Sequence, residues 1–457
     1  MSAVPAAAAA ELSSLIERER RAYASRRPQA QTLAARAAAH WPGSVPMHWM
    51  ADWPTPFPLA VATARDVTLT DVDGHAYTDF CLGDTGAMFG HSPPPIAAAI
   101  AAQAARGLTC MLPDERVAAV GEALAANFRL PFWQVTQTAT DANRAALRWA
   151  RALTGRRRVL VFHGCYHGTV EETMVRRRGG RTVPREGAIG PAFDTAAAAA
   201  AIEFNDFAAL EQALQQAGAA GDIAAVIAEP VMTNIGMVLP AAGFLQALRE
   251  LTRRHGALLV IDETHTLSSG PGGHAAAVGL EADFWVCGKA IAGGLPCAVL
   301  GFTAEVESRM RAVLAARAPG HSGMGTTLAA NTLVFAALAA ALQHLHVPAT
   351  HALMQAAADR LEHGLRTVFA ARGLEWHVSR VGARLEFGFG PAPHNGSEAE
   401  AAAHPQLEQA LHLWLLNRGF LLTPFHNMML TAPMLPHAAI DALCALIDEF
   451  LAEVGLA

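Results

Sequence analysis

Leu258-Leu259-Val260-Ile261-Asp262-Glu263-Thr264 reads as a short buried strand that ends in two carboxylates. It belongs to a series. Residues 159–162, 224–228, 284–286 and 298–302 are equally short apolar runs, rich in β-branched or aromatic residues. Helical stretches over 141–153 and 242–255 separate several of them. Such alternation predicts an α/β fold, with a mostly parallel sheet flanked by helices on both faces. Open sheets of this kind bind ligands beyond the carboxyl ends of their strands. Asp262 and Glu263 therefore stand where chemistry is expected. The plain alternative is an ordinary acidic pair where a strand turns into a loop.

A second feature sits downstream. In Val286-Cys287-Gly288-Lys289-Ala290-Ile291-Ala292-Gly293-Gly294-Leu295-Pro296 a lysine follows a short apolar strand and precedes a glycine-rich turn. A lone lysine after a strand is usually a snorkelling surface residue. The pair is more specific than either member. A lysine amine forms a Schiff base with an aldehyde cofactor. A carboxylate beside a pyridinium nitrogen keeps it protonated and the ring electron-withdrawing. Lys289 and Asp262 are the candidate catalytic pair.

Two further stretches offer cofactor contacts. Gln137-Thr138-Ala139-Thr140-Asp141-Ala142-Asn143 leads into a helix. Small residues at a helix start leave backbone N–H groups free for an anion, so a phosphate suits Thr138, Ala139 and Thr140. The competing reading is a Thr/Asp helix cap. In His163-Gly164-Cys165-Tyr166-His167-Gly168, Tyr166 can stack on a cofactor ring. No second ligand cluster stands at zinc spacing, so no metal site is expected.

Around these motifs the chain runs to 457 residues, enough for one large domain and a smaller one. An N-terminal arm with part of the small domain is expected over 1–75, a large cofactor-binding domain over 76–344, and a small α+β domain over 345–457. Residues near 11–40 look helical, and Asp73-Gly74 marks a hairpin. Apolar residues make up 52% and charged residues 16%. That balance suits a well-buried enzyme that hides more apolar surface in an oligomer. The net charge of −6 gives no pull toward nucleic acid or anionic membrane. Six cysteines without CxxC spacing suit reduced thiols in cytoplasm. The alanine run over 6–10 lacks a preceding basic residue and reads as a helical arm, not a signal peptide. The apolar stretch over 328–342 is short for a membrane span and reads as a core or interface helix.

Taken in order, these motifs resemble the class III aminotransferases of the fold type I pyridoxal-phosphate enzymes, near the glutamate-1-semialdehyde aminomutase branch. The resemblance runs from about Phe57 to the C-terminus. It implies pyridoxal 5'-phosphate as cofactor, Lys289 as its Schiff-base lysine and Asp262 as the pyridinium partner. Thr138, Ala139 and Thr140 take the phosphate-cup positions. Tyr166-His167-Gly168 matches the ring-stacking motif, and Glu229-Pro230-Val231 with Asn234 matches a loop beside the ring. Thr327 aligns with a threonine that reaches a neighbouring subunit's phosphate, which implies a homodimer with shared active sites.

Two departures from the aminomutase stand out. No arginine occurs in Ser44-Val45-Pro46-Met47-His48-Trp49-Met50, and no acid in Thr423-Pro424-Phe425-His426-Asn427-Met428-Met429. The expected reaction is accordingly transamination, in which an amino compound, bulky or aromatic, and a keto acid or aldehyde exchange an amino group by a ping-pong route. An isomerase on the same scaffold, an aminomutase or racemase, is the alternative. Trp49 and His426 are candidate substrate contacts, with Arg384 and Asn427 as further polar candidates.

Overall fold

The computed structural model describes residues 6–216 and 222–456. The ends of the stretches 1–75 and 345–457, residues 1–5 and 457, lie outside the described residues. The fold is α/β. Its central sheet has seven strands: β1 (Phe132–Thr136), β2 (Arg158–Phe162), β3 (Ala199–Ile202), β4 (Ile223–Ala228), β5 (Leu258–Asp262), β6 (Phe284–Cys287) and β7 (Ala298–Phe302). Their order across the sheet is β1-β7-β6-β5-β4-β2-β3. β7 runs antiparallel to both neighbours, and the other pairings are parallel.

Burial explains the sequence of these strands. β4, β5, β6 and β7 are buried at every position. A strand covered on both faces needs a continuous apolar run, not an alternating one. The helix Ala139–Thr154 buries Ala142, Ala146 and Ala150 at four-residue spacing, with Leu147 beside them. Alanine at those positions lets the helix approach the sheet closely. The helix ends at Gly155, which takes the left-handed conformation (φ +69°) that a helix stop of this kind requires. The helix Phe244–His255 shows the same logic with larger residues, burying Phe244, Leu245, Leu248 and Leu251.

A second apolar cluster gathers the helices Pro348–Ala371, Pro405–Leu416 and His437–Glu453 against a three-stranded sheet. That sheet contains the antiparallel pair His377–Val381 and Arg384–Gly388. Leu12 and Leu15 of the helix Ala6–Arg26 join this cluster. The hairpin at Asp73-Gly74 is present between strands Thr68–Asp71 and Ala76–Asp79. Asp71 accepts the amides of Asp73 and His75 there, and Gly74 supplies the positive φ of +89°. The apolar stretch near 328–342 forms the helix Thr332–His344, packed into the main core through Val334, Phe335, Ala337, Leu338 and Ala341. Among the described residues, no single helix is long and apolar enough to cross a membrane.

Candidate active site

The carboxyl ends of β1, β2, β4, β5 and β6 converge on one open cleft of about 370 Å³. Thr138, Ala139, Thr140, Tyr166, Glu229, Asn234, Asp262, Thr264, His265 and Lys289 line it. Residues up to 151 positions apart in sequence thus share one cavity because each follows a strand of the same sheet.

Asp262 ends β5 and is 5% exposed. Its Oδ2 accepts from Asn143 Nδ2 at 2.8 Å and pairs with His167 Nδ1 at 3.1 Å. Its Oδ1 accepts from the Thr264 amide at 3.1 Å and hydroxyl at 2.6 Å. Burial works to raise this carboxyl, but the His167 bond and charge and the Thr264 and Asn143 bonds win and hold it at about 2. Burial likewise works against a charged His167, yet its bond to Asp262 pushes it up to about 10. His167 does not line the cleft. It stands behind Asp262 as its cationic partner.

Glu263, the second carboxylate of that strand end, points elsewhere. It accepts the amides of His274 and Ala275 and the hydroxyl of Thr266. The acidic pair therefore divides into one group facing the cleft and one tying down the following turn.

Lys289 follows β6 through Gly288 with a left-handed backbone (φ +50°). That conformation is costly for a residue with a Cβ and recurs where a side chain must be aimed. Lys289 is the only lysine in the chain; the other 33 basic residues are arginines. Its Nζ donates to Asp84 Oδ2 at 2.6 Å and contacts His265 Nε2. Asp84 lies on a turn whose residues Leu82, Gly83, Asp84 and Thr85 all have positive φ. Arg384 Nη2 approaches Asp84 Oδ1 at 3.4 Å and also meets the Thr85 hydroxyl. Arg384 is fully buried, not a surface ion-pair partner.

At the other end of the cleft, Thr138 caps the helix Ala139–Thr154, its hydroxyl accepting from the Asp141 amide. The same hydroxyl donates to Asp141 Oδ2 at 2.8 Å. Thr140 Oγ1 accepts from the Thr169 amide. The side chains are thus engaged within the protein, and the first backbone amides of the helix are what remains for an anion. Space is reserved around them. A Cβ at Gly168 would lie 2.0 Å from Thr140 Oγ1, and one at Gly288 would lie 3.0 Å from Ala139 Cβ. Tyr166 is 40% exposed and forms a wall of the cleft.

Other candidates lie outside the cleft lining. Trp49 is 45% exposed on the N-terminal segment. Thr327 is exposed, and its neighbour Thr326 donates to Gln137 at 3.0 Å. His426 pairs with Glu386 at 2.7 Å. Asn427 donates to the Phe387 carbonyl and faces His412, so both ends of its amide are committed internally. The sequence motifs single out neither His265, which lines the cleft, nor Asp84, which meets Lys289 from outside that lining. Among the described residues no cluster of His, Cys, Asp and Glu could hold a metal ion.

Comparison with known proteins bears on this geometry. The family model described as Aminotransferase class-III matches residues 49–450. A glutamate-1-semialdehyde 2,1-aminomutase of Sorangium cellulosum (strain So ce56) is 33% identical over 408 residues, 88% of this chain and 91% of that protein. A crystal structure of a glutamate-1-semialdehyde-aminomutase from Pseudomonas aeruginosa PAO1 superposes with a TM-score of 0.94 at 47% identity, covering 97% of this chain and 99% of that one. A lysine-to-alanine form of that enzyme in complex with PMP matches equally well. These names correct the expectation of ping-pong transamination drawn from the two missing motif residues. They favour the alternative, an isomerase on the same scaffold.

Proposed function

We infer the activity from one premise: the chain belongs to the class-III aminotransferase family, and its cofactor is pyridoxal phosphate. The reading that fits best is an aminomutase, which moves an amino group between adjacent carbons of one small substrate. The observation that carries it is the 47% identity over nearly the whole chain to an aminomutase structure.

The site suits the cofactor by the chemistry of its donors. A buried, anionic Asp262 faces one side of the cleft, the free amides of a helix start face another, and a single amine enters between them. When bound, pyridoxal phosphate supplies an aldehyde that captures amino groups and a ring that withdraws electrons from the carbon bearing them. Asp262, backed by His167 and Asn143, would hold the ring nitrogen's proton. The amides of Ala139 and Thr140 would receive the phosphate, with Thr138 fixing the helix start. Tyr166 and Asn234, which line the cleft, would flank the ring. Lys289 carries a proton to and from the substrate carbon. In an aminomutase the same Lys289 must serve both carbons in turn.

The strand Arg384–Gly388 supports a carboxylate-bearing substrate. Although 44–50 lacks an arginine and 423–429 lacks an acid, this strand brings a cation, Arg384, to the Lys289–Asp84 pair and an acid, Glu386, to His426. Trp49 and His426 then border the substrate from the N-terminal segment and the small sheet. Thr327 is too exposed to serve its own cleft, and Leu108, Met111, Leu112 and Leu328 are exposed apolar residues. A homodimer that buries them and brings Thr327 to the partner's phosphate is the arrangement we propose.

The test is a single amino-aldehyde substrate, labelled at its nitrogen, without any keto acid. Migration of label from carbon 2 to carbon 1 is the expected result. Absolute dependence on an added carbonyl acceptor would overturn it.

A further inference from the structure

Lys289 does not meet a lone counter-ion. Its Nζ stands between a carboxylate, Asp84, and an imidazole, His265. Asp84 Oδ2 is also 3.5 Å from His265 Nε2, so the three groups close a triangle. The far side of His265 is equally constrained. Its Nδ1 lies 2.6 Å from Thr233 Oγ1, and that hydroxyl lies 2.5 Å from Glu229 Oε2. Glu229 Oε2 also receives the Thr233 amide and Asn234 Nδ2.

These contacts determine the tautomer. A threonine hydroxyl has one proton to give. Thr233 commits it to the Glu229 carboxylate and can only accept from His265. His265 must therefore carry its proton on Nδ1, which leaves the Nε2 lone pair aimed at Lys289. The charged neighbours of the imidazole are Lys289, Asp84 and Arg384, with Glu229 beyond Thr233. Burial and the Lys289 charge keep His265 neutral, down at about 4, against the pull of Asp84.

We propose that His265 is a second acid–base residue of this site, taking a proton from the Lys289 ammonium at Nε2 and returning it. One N–H bond breaks at Nζ while one forms at Nε2, and the amine keeps its electron pair. Asp84 lies against both nitrogens and stabilises the cation at either. Thr233 and Glu229 are positioning residues that fix the ring's tautomer. The result is a minor but pH-independent fraction of neutral, nucleophilic Lys289, reached without proton release to bulk water. This rests on Lys289 being the reacting amine, and not on which amino shift the enzyme performs.

Because Lys289 is the only lysine, its reactivity is readable alone. Full-length protein stripped of cofactor is treated with formaldehyde and a borohydride reductant across a pH series, and the Lys289 peptide is followed by mass spectrometry. Proton sharing within a pair is independent of pH while the pair holds one proton. The labelling rate of the wild type should therefore be flat between about pH 6 and 8. In His265→Gln, which preserves a hydrogen-bonding side chain, it should fall about tenfold per pH unit on the acid side of the amine's titration. Glu229→Gln and Thr233→Val should lower the plateau about tenfold by releasing the tautomer. Nitrogen-15 spectra of wild-type His265 should show a protonated Nδ1 and a bare Nε2. A tenfold-per-unit fall in the wild type, or a proton on Nε2 instead of Nδ1, would overturn the proposal. In the cofactor-loaded enzyme, His265→Gln should shift the acid limb of turnover upward. A labelling plateau alongside absent amino migration would sink the aminomutase reading and leave this one standing.

Discussion

Asp262 Oδ2 and His167 Nδ1 lie 3.1 Å apart with both side chains inside the protein, and each holds the other in its charged form. The pair sets the charge at the cofactor end of the cleft. Asp262→Asn keeps the shape but removes the charge, and should lower kcat by at least about 100-fold while leaving part of the cofactor bound. His167→Gln keeps a donor and should cost less. Steady-state kinetics with a cofactor titration separate the two.

The same pair gives the stability a pH signature. Asp262 is depressed from 3.8 to about 2, so its contribution is present above 3.8 and is lost as pH falls toward 2. His167 is raised from 6.5 to about 10, so its contribution is complete below 6.5 and is lost as pH rises through 10. Urea midpoints of the wild type should decline between pH 7 and 10. In His167→Gln that alkaline decline should be shallower. An equal decline in both would remove His167 from the account.

Buried neutral histidines act in the opposite direction. Burial pushes His346 down to about 3 and His351 to about 4. Neither ring nitrogen of His351 has a hydrogen-bond partner. The unfolded chain takes up protons below 6.5 that these rings refuse, so stability falls as pH drops from 6.5 toward their folded values. The loss is on the order of 2 kcal/mol per ring by pH 5. His351→Leu packs an apolar side chain at an apolar site and should flatten this acid limb. Thermal midpoints at pH 7 and pH 5 provide the check: the gap between them should shrink in the variant.

How far the sequence reveals this site follows from what sequence spacing can encode. Lys289 and Asp262 are legible because each directly follows a strand of the same sheet, and such strands share one working edge. Tyr166 and the 138–140 turn are legible for that reason too. Glu263 is indistinguishable from Asp262 in sequence, since only the alternation of faces at the strand end sends one carboxylate to the cleft. Asp84 is invisible because it stands 205 residues before the lysine it pairs with, on a turn of positive-φ residues outside the sheet. His265 lies three residues past Asp262, but nothing in the local pattern says that it faces Lys289 and not the core. The two motif departures point away from an aminomutase, whereas similarity over nearly the whole chain points toward one, because a few loop residues weigh less than the ordered run of motifs.

The glycine beside the anion-binding turn admits a steric test. Gly168 has φ +75°, and a Cβ there would meet Thr140 Oγ1 at 2.0 Å and its Cα at 3.1 Å. Gly168→Ala therefore adds backbone strain and overpacking together, a cost of roughly 1–3 kcal/mol. The displaced residue is Thr140, so the loss should appear mainly as weakened cofactor binding. The ratio of cofactor to protein after dialysis should fall, while the apoprotein's unfolding midpoint moves less than that of the loaded enzyme. An unchanged ratio would mean that Thr140 has no part in holding the phosphate.

Lys289→Arg is the sharpest substitution available, because the chain itself has run the comparison elsewhere. At 33 positions it uses arginine for positive charge, and at one it uses lysine. Guanidinium pairs with carboxylates well but stays protonated across the accessible pH range. An arginine at 289 would keep a cation against Asp84 and lose both the nucleophilic amine and the mobile proton. Turnover should fall to background, and the visible absorbance that accompanies a cofactor linked to the protein should disappear. The apoprotein should lose no more than about 1–2 kcal/mol, because Asp84 keeps a partner. Lys289→Ala leaves Asp84 with only the longer contacts to Arg384 and His265 and should be the less stable of the two. If the arginine variant turned over substrate at even a hundredth of the wild-type rate, the amine at position 289 could not be the group that reacts.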